Sequence, residues 1–422
     1  MGHLSVKMSS VSQLIAEINK THQSSKQEQF NSLTKLLSVN PAENSFIASI
    51  YNSTSATPAP PPTAALTTLY DEDWSAFPAV VSSFVRLCTE INPWSVLESF
   101  DLYTTYLNNL SIAFNNNNFG WLLSGVIKST IGLVTPWALQ LDTQMFFKEN
   151  GGKFRLNYIA SVILKIFNNI RINSTYKESI ILYLGNKLCF IYWKLDNPLL
   201  CRNIFSNMNN TSLKLADFPL GEQLKYRYYL ARYYFIKYEL MESFELLKWC
   251  LTRTSSGKNQ QLILELFIPI SLVIGKTPNF AVLKQSQKNN QYVMGLITMY
   301  EEMYQAIRPG DYASFKAIVE KNHHYLKSKN LLLLMNKMEI LIYRNLVKNC
   351  WKILGRQSTM SFNLVPVGDI YFKENLFVTL IDSNLIKGKL TNKSVVLSKN
   401  DPFPRVFEIY TKRFQSKHNQ WM

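Results

Sequence analysis

The stretch Leu385-Ile-Lys-Gly-Lys-Leu-Thr-Asn-Lys-Ser-Val-Val-Leu-Ser398 reads as two β-prone runs around a polar turn. The runs are Leu385-Ile-Lys-Gly-Lys-Leu390 and Ser394-Val-Val-Leu-Ser398, and Thr391-Asn-Lys393 separates them. Just upstream, Leu376, Phe377, Leu380, Ile381 and Leu385 recur at helical spacing and share one face. A helix followed by a β-hairpin is the layout of a winged helix, whose wing is the hairpin. Asn400-Asp-Pro-Phe-Pro404 closes it, because two prolines stop sheet pairing. The predicted winged helix occupies residues 356–405, with a basic extension over 406–422.

Upstream, over residues 71–355, one theme repeats. Apolar stripes of helical period alternate with short polar breaks: Asn115-Asn-Asn-Asn118, Glu149-Asn-Gly-Gly152, Arg253-Thr-Ser-Ser-Gly257 and Arg308-Pro-Gly-Asp311. Leu224, Tyr228, Ala231, Phe235 and Tyr238 mark the face of one helix. After a break at Glu239, Phe244, Leu247 and Leu251 mark the next. Pairs of amphipathic helices leave an apolar face for the following pair, and stacking them gives an α-helical, tetratricopeptide-like solenoid without a strict repeat signature. The expected fold is therefore all-α dominated, a solenoid ending in a winged helix with a small β-hairpin. Residues 51–70, rich in Pro, Ala, Ser and Thr, read as a linker, since such residues bury no core. Residues 1–50 read as one or two short helices, and the folded body is expected to begin near Asp71.

Totals support this class. The chain has 422 residues with 47% hydrophobic content, and only 15 Gly and 16 Pro, which disfavours an all-β fold with many tight turns. Cys88, Cys189, Cys201, Cys250 and Cys350 are odd in number, widely spaced and without a CxxC pair, so they read as reduced core cysteines of a cytosolic or nuclear protein. The opening Met1–Val6 reads as no signal peptide, and Val6 stands where a myristoylation site wants Ser or Thr. Apolar runs such as Leu266–Ile274 are too short to span a bilayer, so no membrane partner is expected.

No catalytic constellation emerges. Gly275-Lys276-Thr277 resembles the end of a P-loop, but Ile270 stands where its other glycine belongs, so the backbone cannot wrap a phosphate. Gly275 reads instead as a helix C-cap with Pro278 as the stop. His323 and His324 are the only paired histidines, and adjacent helical residues diverge by about 100°. There is no HExxH, no GxSxG and no Cys with a neighbouring His. The expectation is a non-enzyme without cofactor or metal.

Charge is the functional signal. The chain carries 45 Lys+Arg against 29 Asp+Glu, a net +16, which attracts nucleic acid, an acidic protein or anionic lipid. The local excess lies at Lys387, Lys389, Lys393, Lys399, Arg405, Lys412, Arg413 and Lys417, opposed only by Asp401 and Glu408. In a winged helix Lys393 sits at the wing tip and Lys389 on a wing strand, where they face phosphates without sequence preference. Lysines on an edge strand also simply discourage aggregation. The candidate nucleic-acid-binding set is Lys387, Lys389, Lys393, Lys399, Arg405, Lys412 and Arg413. A second stripe of Lys225, Tyr229 and Arg232, with Arg227 beside it, suits base stacking or, more simply, helix packing.

Several ordered passages resemble the PCI-domain family over residues 80–405. They are Asn92-Pro-Trp-Ser95, Tyr183-Leu-Gly-Asn-Lys-Leu188 with Ile191-Tyr-Trp-Lys194, Tyr226–Tyr234, Ile268–Gly275, Tyr343-Arg-Asn-Leu346 and Val395–Pro404. The resemblance is to the COP-nine signalosome subunit twelve type, PCI-domain-containing protein two and the PCI subunit of the TREX-type export complex. It implies a scaffold subunit that pairs with a second PCI-domain protein and a small acidic Dss/Sem-type protein. It also implies contact with RNA or DNA through the complex, a place in transcription elongation, splicing or mRNA export, and residence in nucleus and cytoplasm. A purely protein-binding role among signalosome subunits, supporting cullin deneddylation, is the alternative.

Overall fold

A computed structural model describes residues 10–53, 73–172, 176–255 and 257–413, and the chain divides into two compact units, Met1–Tyr226 and Arg227–Gln420. The proline-rich stretch from residue 54 and the basic residues from 414, Lys417 among them, lie outside the described residues.

The first unit is helical throughout. Its N-terminal part holds three helices, Ser10–Thr21, Lys26–Leu36 and Ser45–Ser53, rather than one or two. Val11, Leu14, Ile15 and Ile18 repeat at spacings of three, one and three, and all four are buried. Ser25 caps the second helix through a reciprocal pair: Glu28 N–H donates to its Oγ, and its own N–H donates to Glu28 Oε2. The Tyr106 hydroxyl donates to the Leu37 carbonyl at 2.8 Å, far along the sequence. The folded body therefore begins well before Asp71. Polar flanks hid this, because the apolar residues of these short helices are set among polar ones.

From Phe77 the helices Phe77–Glu90, Val96–Ala113, Ser124–Gln144, Phe154–Ile172, Ile181–Lys194 and Cys201–Asn209 each pack on the next. Their junctions are chemically specified. Asn92 Oδ1 accepts from Trp94 N–H, and Ser95 Oγ accepts from Glu98 N–H at the following helix start. At the Glu149–Gly152 break, Asn150 and Gly151 both have positive φ. Buried Asp142 then accepts from the N–H groups of Arg155 and Leu156, capping the next helix, while Arg155 pairs bidentately with Glu149 at 2.9 Å. Among the described residues one stretch, Gly120–Gln144, is long and apolar enough to cross a membrane by length and composition, contrary to the reading from the short runs. Its most apolar window is 56% buried, so packing against its neighbours accounts for that apolarity.

The second unit continues the theme. Helices Leu240–Leu251, Gly257–Val273, Gln291–Ile307, Tyr312–Lys321 and Leu332–Ile353 pack around the Gly257–Val273 and Leu332–Ile353 pair. Asn290 and Asp311 cap two of these starts through bonds to the N–H groups of Val293 and Ser314. Gly275, at φ +76°, ends the Gly257–Val273 helix, with Lys276 N–H returning to the Ser271 carbonyl at 2.8 Å. Phe244 and Leu247 are buried as expected. On the preceding helix, Leu220–Ile236, the buried positions are Tyr226, Leu230, Ala231 and Tyr233; of the anticipated stripe only Ala231 is fully buried, and Leu224, Tyr228, Phe235 and Tyr238 are half-buried. Tyr226, Leu230 and Tyr233 recur at spacings of four and three, so the helix buries a different face from the predicted one, with Ala231 alone shared with the expected stripe.

A winged helix completes the unit. It runs β1 (Thr359–Ser361), helix Ile370–Asp382, β2 (Gly388–Thr391) and β3 (Ser394–Leu397). The sheet order is β1-β3-β2, antiparallel throughout, with Met360 and Leu390 both opposite Val395. Leu376, Phe377 and Leu380 are buried beside Met360, Phe362, Val395 and Phe403, and the core also takes Leu341 and Val347 from the Leu332–Ile353 helix. Each such apolar side chain contributes about 1.5–3 kcal/mol on burial. Strand β1 was not legible in the sequence: of Thr359-Met-Ser361 only Met360 is apolar, and pairing to β3 creates it. Leu385 and Ile386 lie before β2, where they fill the core.

Candidate nucleic-acid interface

The wing is built by pairing rules. Side chains alternate along a strand, and directly opposed residues share a face. Lys389 lies opposite Val396, which lies opposite Thr359, so this row forms the outer face of the sheet. Leu390, Val395 and Met360 form the next row, whose two β1 and β3 members are buried. Strand β2 is an edge, and Lys387 precedes Lys389 by two residues.

Asn392 and Lys393 form the turn. Thr391 Oγ1 donates to the Ser394 carbonyl at 2.9 Å, and Phe362 N–H donates to the Lys393 carbonyl at 3.1 Å. The wing tip is thus tied to the body of the module, and the Lys393 side chain is left exposed. After β3, Ser398 N–H donates to the Lys387 carbonyl and Lys387 N–H to the Pro402 carbonyl, which places Lys399 on the return segment.

Not all seven nominated cations stand alike. Lys387 Nζ lies 3.7 Å from Asp401, and Arg405 Nε lies 3.9 Å from Glu408. The only two acids of this region thus oppose those two cations. Lys389, Lys393, Lys399 and Lys412 are exposed and have no carboxylate partner among the described residues. Lys412 and Arg413 belong to a further helix, Val406–Arg413.

Sequence reasoning missed the character of helix Ile370–Asp382, which stands where a winged helix presents its groove-reading helix. Asp369 caps it by accepting from Phe372 N–H at 2.8 Å. Its charges are Lys373 against Glu374 and Asp382, with Asp369 at the cap. Its exposed apolar residues are Ile370, Tyr371, Phe372 and Val378, Tyr371 being 74% exposed. The positive charge therefore sits on the wing, and the helix is apolar and slightly acidic. The signal was present in Ile370-Tyr-Phe372, three apolar residues that no single helical face can all bury.

The second stripe resolves into packing. The Arg227 and Arg253 guanidinium groups lie 3.8 and 4.4 Å from the Trp249 ring centroid, and Arg232 lies over the Tyr228 ring at 5.7 Å. Lys225 pairs with Glu222 at 2.8 Å. Several passages behind the resemblance are packing devices too: the Tyr183 hydroxyl donates to the Lys128 carbonyl, and Asn186 donates to the carbonyl and carboxylate of Glu222. Trp94, by contrast, is 95% exposed. Among the described residues no group of three His, Cys, Asp or Glu side chains is placed to hold a metal, and all five cysteines are free thiols.

No family model matches the chain. It is 26% identical over 313 residues to the nuclear mRNA export protein THP1 of Saccharomyces cerevisiae, an overlap covering 68% of each chain. It is 26% identical over 242 residues to the PCI domain-containing protein 2 homolog of Dictyostelium discoideum, covering 54% of each. With the enhanced ethylene response protein 5 of Arabidopsis thaliana it shares 22% identity over 356 residues, 79% of this chain and 82% of that one.

Proposed function

The chain is a PCI-domain protein related to THP1 and PCI domain-containing protein 2, and from that premise we propose that it is a non-catalytic scaffold subunit acting in nuclear mRNA export. In this reading it pairs with a second PCI-domain protein and a small acidic Dss/Sem-type protein, and the assembly binds RNA or DNA. The observation that carries the nucleic-acid part is a set of four exposed lysines with no opposing carboxylate among the described residues: Lys389, Lys393 and Lys399 on the wing and its return segment, and Lys412 on the helix that follows. Lysines of this kind neutralise phosphates without reading bases. The protein-pairing part is supported by the exposed apolar residues Ile370, Tyr371 and Val378 on the neighbouring helix, since contiguous exposed apolar surface marks interaction sites. An acidic extended partner suits the net charge of +16.

The test is purification of the tagged chain from nuclease-treated cells, with identification of what remains bound. A second PCI-domain protein together with a small acidic subunit and export factors is the expected result. Recovery of cullin-deneddylating subunits alone would replace this reading with the signalosome scaffold. Mobility shift of labelled RNA by the purified assembly tests the nucleic-acid part separately.

A further inference from the structure

Within the second unit a cleft of about 420 Å³ opens where the end of helix Gly257–Val273, the Leu332–Ile353 helix and the segment leaving the wing meet. Its lining includes four cations, Lys276, Arg344, Lys348 and Arg405, and a single carboxylate, Glu408. That carboxylate faces Arg405, and the nearby Asp401 faces Lys387. Asp401 also favours the charged forms of Arg344 and Lys348, so Arg344, Lys348 and Lys387 share this one carboxylate, and Lys276 has no ion pair among the described residues.

Such a gathering is costly in an empty site, because like charges repel more strongly where water is displaced. Arg344 is only 5% exposed. Its Nη2 donates to the carbonyls of Pro404 and Phe403 at 2.6 and 3.3 Å, and its Nη1 to Asn345 Oδ1 at 2.9 Å. Its Nε is buried and has no hydrogen-bond partner among the described residues. Lys276 Nζ rests 4.5 Å from the Phe407 ring centroid and has no ion pair among the described residues. Burial first, then the neighbouring Arg344, Lys352 and Arg405, hold the Lys348 ammonium below its usual basicity, with Asp401 opposing them only in part.

The fold brings this cleft about through Gly275. A Cβ there would meet Val406 Cβ at 2.7 Å, so only glycine lets the departing segment lie so close and bring Arg405 to the rim. The arrangement is not a P-loop, since no backbone loop wraps a phosphate. It is a convergence of side chains from three segments, joined by Thr277 and Tyr304 as neutral hydroxyl donors.

We propose that this cleft binds a small, multiply charged phosphate compound, with phosphates held by Lys276 and Lys348 at the wall and Arg405 at the rim, over the positive floor that buried Arg344 provides. Converging cations and hydroxyl donors suit phosphate oxygens. The volume lies within the range of small-molecule sites, about 300–1,000 Å³, and exceeds what one phosphate ion fills. The ligand therefore carries several phosphates, either as a free polyphosphate or as the headgroup of a phosphorylated lipid.

Titration calorimetry of the full chain with inositol hexakisphosphate, at constant ionic strength, tests this. One saturable site is expected. Lys348→Ala and Lys276→Ala should each weaken it about tenfold or more, consistent with loss of a charge-assisted bond, without lowering the melting temperature of the unliganded protein. The wing variant Lys389→Ala/Lys393→Ala/Lys399→Ala should bind as wild type, which separates this site from the wing. Lys348-dependent binding to vesicles carrying a bisphosphorylated phosphatidylinositol, without binding of the soluble probe, would support the lipid source. Absence of saturable binding to either probe would overturn the proposal, as would indifference to both cleft substitutions. Displacement of the probe by an RNA oligomer in a Lys348-dependent manner would assign the cleft to the nucleic-acid path and overturn it likewise.

Discussion

Neutralising the wing should change the salt dependence of nucleic-acid binding by a calculable amount. Lys389, Lys393 and Lys399 are exposed, come from the edge strand, the turn and the return segment, and have no opposing carboxylate among the described residues. Each lysine that neutralises a phosphate on a single strand releases about 0.7 counterion. Replacing all three with alanine should therefore flatten the plot of log affinity against log salt by about 2. Between 50 and 200 mM salt, the ratio of wild-type to variant affinity should shrink about sixteenfold. Lys387→Ala is the internal control. Its charge is shared with Asp401 at 3.7 Å, so it should change the slope by less than about 0.7. The assay is fluorescence anisotropy of a labelled RNA oligomer with the purified assembly over a salt series. If the triple variant and wild type gave parallel lines, the wing would not touch phosphate, and its lysines would serve only to protect an edge strand.

Other outcomes follow from single contacts. Lys177 is 1% exposed, its Nζ has no hydrogen-bond partner among the described residues, and its closest compensation is the Phe114 ring at 4.9 Å. Lys177→Met should raise stability at neutral pH by about 1–3 kcal/mol in urea unfolding, the cost of an unsatisfied buried donor. Burial lowers the Lys177 pKa in the fold, so the unfolded chain holds that proton more tightly. Wild-type stability should therefore gain from this group as pH rises through the interval below 10.5, and the methionine variant should lack that gain. Asp369→Ala removes the cap of helix Ile370–Asp382 and should cost about 1 kcal/mol, measured the same way. Gly310 has φ +91°, and a Cβ there would lie 2.6 Å from the Leu346 backbone. Gly310→Ala should therefore cost at least about 2 kcal/mol and lower the melting temperature.

The solenoid and the wing were legible because each leaves a periodic trace. The hairpin runs alternate around a polar turn, and the module's helix repeats its apolar residues every three or four positions. What escaped had no local trace. Strand β1 exists only because Thr359-Met-Ser361 pairs with β3, a partner more than thirty residues away. The helix Leu220–Ile236 buries Tyr226, Leu230 and Tyr233 rather than the predicted face, because its tyrosines fall on every side and leave the apolar period ambiguous. The N-terminal helices carry their apolar residues between polar flanks, and the long-range bond from Tyr106 to Leu37 shows that they belong to the first unit. In the candidate site, charge was readable but pairing was not. No spacing rule says that Asp401 takes Lys387 and Glu408 takes Arg405, and that assignment separates screened cations from open ones.

That separation bears on why such a wing would need a partner. The wing's three open lysines release about two counterions from a single strand, which is the footing of weak, sequence-indifferent binding. The groove-reading position adds nothing to it, because helix Ile370–Asp382 presents Glu374 and Asp382 against one lysine, with Asp369 at its cap. A helix of that charge is repelled by a phosphate groove, while its Ile370, Tyr371 and Val378 remain uncovered. Both facts point the same way. The helix is suited to a protein face and the wing to a polyanion, so a second basic surface beside the wing would lengthen the phosphate track. Tyr371→Glu places a charge in the exposed apolar patch without touching the buried Leu376, Phe377 and Leu380. It should release the partner protein in co-purification while leaving the melting temperature of the isolated chain unchanged. It should also reduce RNA affinity only in the assembly, never in the chain alone. Retention of the partner by that variant would refute the division of labour between helix and wing.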